Sequence, residues 1–400
     1  MQTLLRPFRE AAFKRLEKEA KHPYFSRMQT EYPVESEKHL LTSRPLKKQQ
    51  MVFINGHFAP ELSSLDASTL EGLWILSLEE AYPVYGALIE MQLQSALKKQ
   101  KGPFPFFSLA SAKTPLLFHI EENRKAQLEI VYLQTKEAVF SPIALQVYAE
   151  RGASCTITTR IEQDPSEQAT RFKGCVSSNV LVSLEENATL VWADHCDYGD
   201  FGTCASSFFG SLKEGAILRK TSLHGKSERS FEQSHFSLLG GGAQAYASSL
   251  LLSPGKTQKE IDVTMEHIHP DTFSSQKIKT IAAGSSKNTF KGKIRVEKEA
   301  QKTDSYQLSK ALILSEKASV KALPELEIFA DDVKASHGST VASLDDREAA
   351  FYLHSRGIGP KIAKYLMIKA FCQEILDTFP SSRQEKIQQS VDEFLQSHAF

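Results

Sequence analysis

The segment ADDVKASHGST, Ala330 to Thr340, gathers two adjacent carboxylates, Asp331 and Asp332, and one imidazole, His337, just after the strand-like run ELEIF. Paired carboxylates can divide general acid and general base work, as polysaccharide cleavage requires. They can equally hold a turn, because Asp side chains hydrogen-bond nearby backbone. An imidazole is a competent metal ligand or proton carrier, and the neighbouring Gly338 permits close backbone approach. One histidine is too few for a metal site, so the remaining ligands have to come from elsewhere. No cysteine lies nearby.

Other clusters carry less. MEHIHP sets His267 and His269 two residues apart, on one face if the run is a strand, but Pro270 favours a polar strand end. HCDYGDFGTC brings together His195, Cys196, Asp197 and Cys204 without any zinc spacing, and reads as loop. YLHSRGIGPKIAKYL resembles a helix-hairpin-helix, whose backbone N–H groups around Gly357, Ile358 and Gly359 would grip a nucleic-acid phosphate. Residues 345–400 hold seven Lys+Arg against eight Asp+Glu, a poor balance for phosphate binding, so the alternative is a helical turn capped by glycine. Neither nucleotide-binding glycine motif occurs, and LLGGGAQA precedes a strand rather than a helix, so no nucleotide is expected on this chain.

The whole chain narrows the field. Its 400 residues are 41% hydrophobic and 24% charged, an ordinary globular composition. Lys+Arg and Asp+Glu both number 48, which argues against a broad basic face for nucleic acid or membrane. Five cysteines, Cys155, Cys175, Cys196, Cys204 and Cys372, are scattered and odd in number, which fits a reducing cytoplasm better than a disulfide framework. The start MQTLLRPFREAAFKRLEKEAK has no signal-peptide core. Apolar runs such as GLWILSL are far shorter than the ~20 residues of a membrane span.

The elements that must position His337 fall into three regions: a helical and irregular 1–110, a β core over 111–344, and a helical unit over 345–400. In the first, Leu5, Phe8, Ala12 and Leu16 give a helix an apolar face, VFINGHFAP reads as strand, Asn-Gly turn and return, and GPFPFFSLA reads as a linker. In the second, alternating runs such as AQLEIVYL, IALQVYAE and SCTITTRI predict strands. A recurring turn separates them, ending in an alanine: Ala126, Ala153, Ala188, Ala216, Ala243, Ala300 and Ala318. The intervals are 27, 35, 28, 27, 57 and 18 residues, a quasi-period that predicts stacked coils of a β-solenoid over the alternative β-sandwich. In the third, Asp345 and Glu348 have capping-box spacing, Gly357 suits a helix end, Pro360 opens the next helix, and Ile387, Val391 and Phe394 share one side of the last.

The last third resembles the SufB/SufD family of iron–sulfur cluster assembly proteins. The resemblance is carried by Gly292 and Lys293, AQKTD (Ala300 to Asp304), LEI (Leu326 to Ile328), ADDVK, SHG, Phe351, Tyr352 and SRGI, and by FINGHFAPELSSLD over residues 53–66. It implies a mainly β protein, a right-handed parallel β-helix flanked by helical segments, with no independent enzymatic activity. It implies pairing with SufB through the β-helix, a homodimer when the chain is isolated, and docking of the SufC ATPase on the C-terminal helices. The family histidine falls on His337, which would share iron or a nascent iron–sulfur cluster with a SufB cysteine. Asp331, Asp332 and Gly338 would support the turn beside it. Phe351, Tyr352, Arg356, Gly357, Ile358, Ala363, Leu366 and Phe371 would form the SufC surface. A flavin would belong to the complex as a whole. Many relatives carry cysteine two residues before the histidine; here that residue is Ala335, so thiolates would come from the partner or from sulfur donors. Length and the DDVKxSHG form favour the SufD branch over a SufB-type paralogue.

Overall fold

Alternation makes strands here because successive side chains point to opposite faces, so that every second one, most often small or apolar, turns inward. The computed structural model describes residues 6–19, 49–65, 70–135, 140–163, 174–199, 202–343, 353 and 355–398. Helix α1 (Arg6–Glu19), the hairpin β1 (Gln50–Ile54) and β2 (His57–Phe58), β3 (Leu73–Ser77), α2 (Leu78–Lys99) and α3 (Pro103–Ser111) come first. The next strands are β4 (Leu116–Ile120), β5 (Lys125–Gln134), β6 (Phe140–Ala149), β7 (Ser154–Gln163), β8 (Cys175–Leu184), β9 (Thr189–Cys196), β10 (Thr203–Leu212) and β11 (Ile217–His224). They continue as β12 (Arg229–Leu238), β13 (Gln244–Ser253), β14 (Gln258–His267), β15 (Phe273–Ala282), β16 (Lys287–Val296), β17 (Thr303–Ile313), β18 (Ser319–Ile328) and β19 (Val333–Ser343). Helices α4 (Pro360–Leu376) and α5 (Ser381–His398) end the described chain.

From β4 onward the chain alternates between two sheets. One runs β19-β17-β15-β13-β11-β9-β7-β5-β1-β2 and the other β18-β16-β14-β12-β10-β8-β6-β4-β3. Each solenoid strand pairs in parallel with the strand one coil away, so the protein is the expected parallel β-helix. The recurring turn is its corner. Gly152, Asn187, Gly215 and Gly242 occupy a left-handed backbone conformation that glycine and asparagine adopt at low cost. Each N–H there donates to a carbonyl of the next coil's corner, at 2.8–3.1 Å. The alanine that follows is fully buried at Ala153, Ala188, Ala216 and Ala243, and Ala300, which lies two residues before the left-handed Lys302, is buried in the same turn. The 57-residue interval spans a coil whose corner carries Asp271 and Thr272, and the 18-residue one jumps from this corner to the start of β18 in the opposite sheet.

The hairpin read from VFINGHFAP is present, with Asn55 and Gly56 both at positive φ as its turn demands. The stretch GPFPFFSLA is not a linker but α3. Pro103 sits in the first turn, where its missing N–H is harmless, and Phe107 packs on Phe140 with ring centroids 4.0 Å apart. At the other end, Ile368, Cys372, Ile375 and Val391 of α4 and α5 bury against Leu223, Leu250, Leu252 and Ile281 of the first sheet. Arg383 of α5 adds an ion pair to Glu129 at 2.8 Å, and Glu129 also holds Arg160 at 2.9 Å.

Candidate functional site

His337 lies in β19, the last strand of its sheet, and β18 is the last of the other. Among the described residues neither strand has a neighbour on its outer side. The sequence expectation made Gly338, with Asp331 and Asp332, part of a supporting turn beside His337; the structure puts His337 and Gly338 inside β19. Gly338 has no positive φ, and a Cβ there would make only an ordinary 3.4 Å contact with Leu308. Its absent side chain leaves the outer surface beside His337 bare rather than closing a corner. The turn is formed by Asp331 and Asp332 alone. The Asp332 carbonyl accepts from Lys302 N–H at 2.5 Å, and its N–H donates to the Gln301 side chain at 2.9 Å, so Asp332 is the last step of the corner column. Asp331 is exposed.

Register fixes where His337 points. On β17 the inward residues are Thr303, Ser305, Gln307, Ser309 and Ala311, all buried. Their partners on β19 are Val333, Ala335, His337, Ser339 and Val341. The imidazole therefore stands on the lumen face, over Gln307, at the open mouth of the solenoid. It is exposed, and among the described residues it makes no hydrogen bond or ion pair. Opposite it, Ala322, Pro324 and Leu326 of β18 stand over Phe290, Gly292 and Ile294 of β16. Apolar side chains are bare around this mouth: Leu323, Ile328, Phe329 and Val341 are 38–54% exposed. On its outer wall Lys293 and Arg295 hold Glu327 at 2.5 and 3.2 Å, and the hydrogen bond from Lys293 keeps that carboxyl below the usual carboxylate range.

Among the described residues no three His, Cys, Asp or Glu side chains converge on a point that could hold a metal. All five cysteines are buried and free. Burial pushes the Cys155 and Cys372 thiols up to about 12 and Cys196 and Cys204 well above their ordinary value, so they stay protonated and are poor iron ligands as they stand.

The remaining sequence candidates resolve into structure. His267 faces the lumen, with its ring nitrogens 2.8 Å from the Thr272 and Ser274 hydroxyls, while His269 lies beyond the strand end, so the two do not converge. His195 and Cys196 are in β9 and Cys204 is in β10, not in a loop; His195 faces outward to Ser390 of α5 at 3.2 Å. Gly357 has φ +78, and the Ile358 N–H donates back to the Leu353 carbonyl at 3.1 Å. That is a glycine-terminated helix end, and it occupies one N–H that a phosphate would need. Arg356, Gly357 and Ile358 thus precede α4, which carries Ala363, Leu366 and Phe371. Ala363 is buried, Ile362 and Leu366 are exposed, and Phe371 packs toward the sheet. Phe351 and Tyr352, like Asp345 and Glu348, lie outside the described residues.

Two lumen features escaped the sequence reading. Lys220 of β11 bridges Glu232 of β12 at 2.8 Å and Asp194 of β9 at 3.3 Å, and His224 adds a contact to Glu232 at 2.9 Å, all almost fully buried. The clue was charge at inward positions of ILRKTSLH and RSFEQSHF. The second is a pair of glutamines, Gln276 and Gln307, stacked in register beneath His337.

Comparison with known proteins places this architecture. The family profile described as SUF system FeS cluster assembly, SufBD core domain, matches residues 131–371, from β5 into α4. The chain belongs to the SufBD family. It is 28% identical over 376 residues to an iron–sulfur cluster assembly SufBD family protein of Synechocystis, covering 86% of this chain and 77% of that protein. It is 35% identical over 172 residues to the iron–sulfur cluster assembly protein SufD of Escherichia coli, 40% of each chain. A SufBD family protein of Mycobacterium leprae is 29% identical over 218 residues, 52% of this chain and 54% of that one. Among the described residues no helix is long and apolar enough to cross a membrane.

Proposed function

We propose that this chain is the SufD-type scaffold subunit of an iron–sulfur cluster assembly complex. Its solenoid mouth pairs with a SufB-type partner, and His337 offers one ring nitrogen to iron or a nascent cluster held between the two chains. The observation that carries this reading is a single one: among the described residues, the imidazole at the mouth is exposed, unbonded and part of no three-ligand cluster, on a strand whose outer edge is open. Bare edge strands are aggregation hazards unless another chain covers them. The apolar rim of Leu323, Ile328, Phe329 and Val341 suits such a cover. A thiolate from the partner opposite an imidazole is a competent iron site, and ligands split between two chains come apart when the chains move, as a scaffold that releases its product needs.

The ATPase partner, SufC, would dock on α4. Ile362 at 59% exposure and Leu366 at 39% form an apolar strip there, next to Ile358. Because α4 and α5 are fixed to the first sheet by apolar packing and by Arg383–Glu129, movement at that surface would reach the solenoid.

Co-expression with cognate SufB and SufC, followed by anaerobic reconstitution, tests the reading. Wild type should give a three-protein complex that takes up iron, and His337→Ala should give the same complex with iron or cluster content strongly reduced. Equal iron content would make His337 a surface residue of the rim. Failure of the complex to form would remove the SufD-type assignment. Leu366→Asp should lose SufC alone while keeping SufB.

A further inference from the structure

Beneath His337 the lumen holds an unfinished hydrogen-bond chain. Gln307 is 3% exposed, yet neither its Oε1 nor its Nε2 has a hydrogen-bond partner. Burying an amide without partners costs stability, so such a group calls for an explanation. One coil further in, Gln276 is 1% exposed; its Nε2 donates to the Lys293 carbonyl at 2.9 Å and its Oε1 is unpartnered. The room for these amides comes from Gly292 on the facing sheet. A Cβ at Gly292 would stand 1.6 Å from Gln307 Nε2 and 2.8 Å from Gln276 Oε1. Both atoms therefore border the same small space, one a donor and one an acceptor.

The polarity of the chain follows. Gln276 has committed its amide nitrogen to Lys293, so its oxygen is left to accept. The group beside that oxygen is the Gln307 nitrogen, which leaves Gln307 Oε1 as the last open acceptor. In-register parallel strands are about 4.8 Å apart, and the side chain standing over Gln307 is His337. His337 has two ring nitrogens and, among the described residues, no partner for either. We propose that Gln307 is the positioning residue of His337: in the paired complex its Oε1 accepts the inner ring N–H, fixing one tautomer and aiming the other nitrogen's lone pair out of the mouth at the cargo. Metal-binding histidines are generally oriented in this way, and losing the second hydrogen bond costs 10- to 100-fold in metal affinity. The inference rests on His337 being a ligand, as proposed above.

The test uses the full chain paired with its SufB-type partner, free of iron, and cobalt(II) as the probe metal. Magic-angle-spinning NMR of ¹⁵N-histidine-labelled chain reports the His337 tautomer without any metal. Wild type should show one tautomer and Gln307→Met a mixture of two. Cobalt affinity should fall about 10- to 100-fold in Gln307→Met and stay near wild type in Gln307→Glu, which keeps the acceptor. Gly292→Ala, whose Cβ displaces the Gln307 amide, should behave like Gln307→Met. A mixed tautomer already in wild type, or an unchanged tautomer in Gln307→Met, overturns the proposal, as does unchanged cobalt affinity in Gln307→Met when His337→Ala has lost it. Unchanged cobalt affinity in His337→Ala overturns the ligand reading instead, and the tautomer still decides whether Gln307 holds the ring.

Discussion

At its N-terminal end the solenoid lumen is filled. Met51, Phe53 and Phe118 are fully buried, β1 and β3 extend the two sheets, the antiparallel β2 follows β1, and α2 and α3 cover the outer face of the second sheet over Leu117, Leu181, Phe209 and Phe140. At its C-terminal end the same two sheets stop at β18 and β19 with, among the described residues, no further strand over them, an exposed histidine and a rim of exposed apolar side chains. The lumen changes character between them. Near the start it is packed with Leu128, Ile130 and Phe118; near the mouth it is lined by Ser305, Gln307, Ser309 and Ala335. On the reading proposed above, this contrast separates the end that carries the folding core from the end that meets a partner.

Large-to-small substitutions break that contrast most directly. Phe118→Ala at the closed end should cost about 3–5 kcal/mol of unfolding free energy, the usual penalty for emptying a buried aromatic site. Ile328→Ala at the open end, where the side chain is 38% exposed, should cost less than about 1 kcal/mol in the isolated chain. Urea titration of the two variants decides it. Equal losses would mean that the mouth is closed in solution, for instance by a second copy of this chain.

Acid sharpens the same boundary. Burial pushes His267, inside the lumen, down to about 4 from an ordinary 6.5, and His195, under α5, to about 3. Between about 4 and 6.5 the unfolded chain binds protons at these sites that the folded chain refuses, so stability falls as pH drops through that window. For His267 alone the loss is on the order of 3 kcal/mol. Unfolding free energies at pH 7 and pH 4.5 should show this slope, and His267→Gln should flatten part of it. A slope that survives unchanged places the protons at other groups.

The rim gives a smaller effect of a different kind. Leu323→Lys and Val341→Lys should shift the thermal midpoint by no more than a degree or two, since both side chains already meet water. They should reduce co-purification with the SufB-type partner about tenfold. Full retention of the partner would move the interface away from the mouth.

The solenoid was legible because its turn is chemical: Gly or Asn in a left-handed corner, then a buried Ala, recurs at four successive coils, from Gly152 to Ala243. The histidine was legible only through resemblance, since ADDVKASHGST carries no signal that its second half is a strand. Alternation is what marks a strand, and on β19 neither face is fully buried, so SHGST has no reason to alternate. The linker reading of GPFPFFSLA failed for a related reason, because Pro103 and the phenylalanines look like punctuation until Phe140 is there to pack on. The lumen charges and glutamines were hidden by a rule that is usually sound, that inward positions are apolar. Lys220, Glu232 and Gln307 break it, and only the register of strands far apart in sequence shows which partners they have or lack.

The carboxylates beside the mouth should show the smallest effect. Asp332 holds its corner with main-chain groups: its carbonyl takes the Lys302 N–H and its N–H reaches Gln301. A side-chain change leaves both in place. Asp331→Asn and Asp332→Asn, singly or together, should therefore alter unfolding free energy by less than about 0.5 kcal/mol, the range of ordinary surface substitutions. Iron content of the reconstituted complex should match wild type, whereas His337→Ala should not. A drop in iron content with stability unchanged would bring the Asp side chains into the site as ligands, and the mouth would then hold more of its chemistry in this chain than one imidazole.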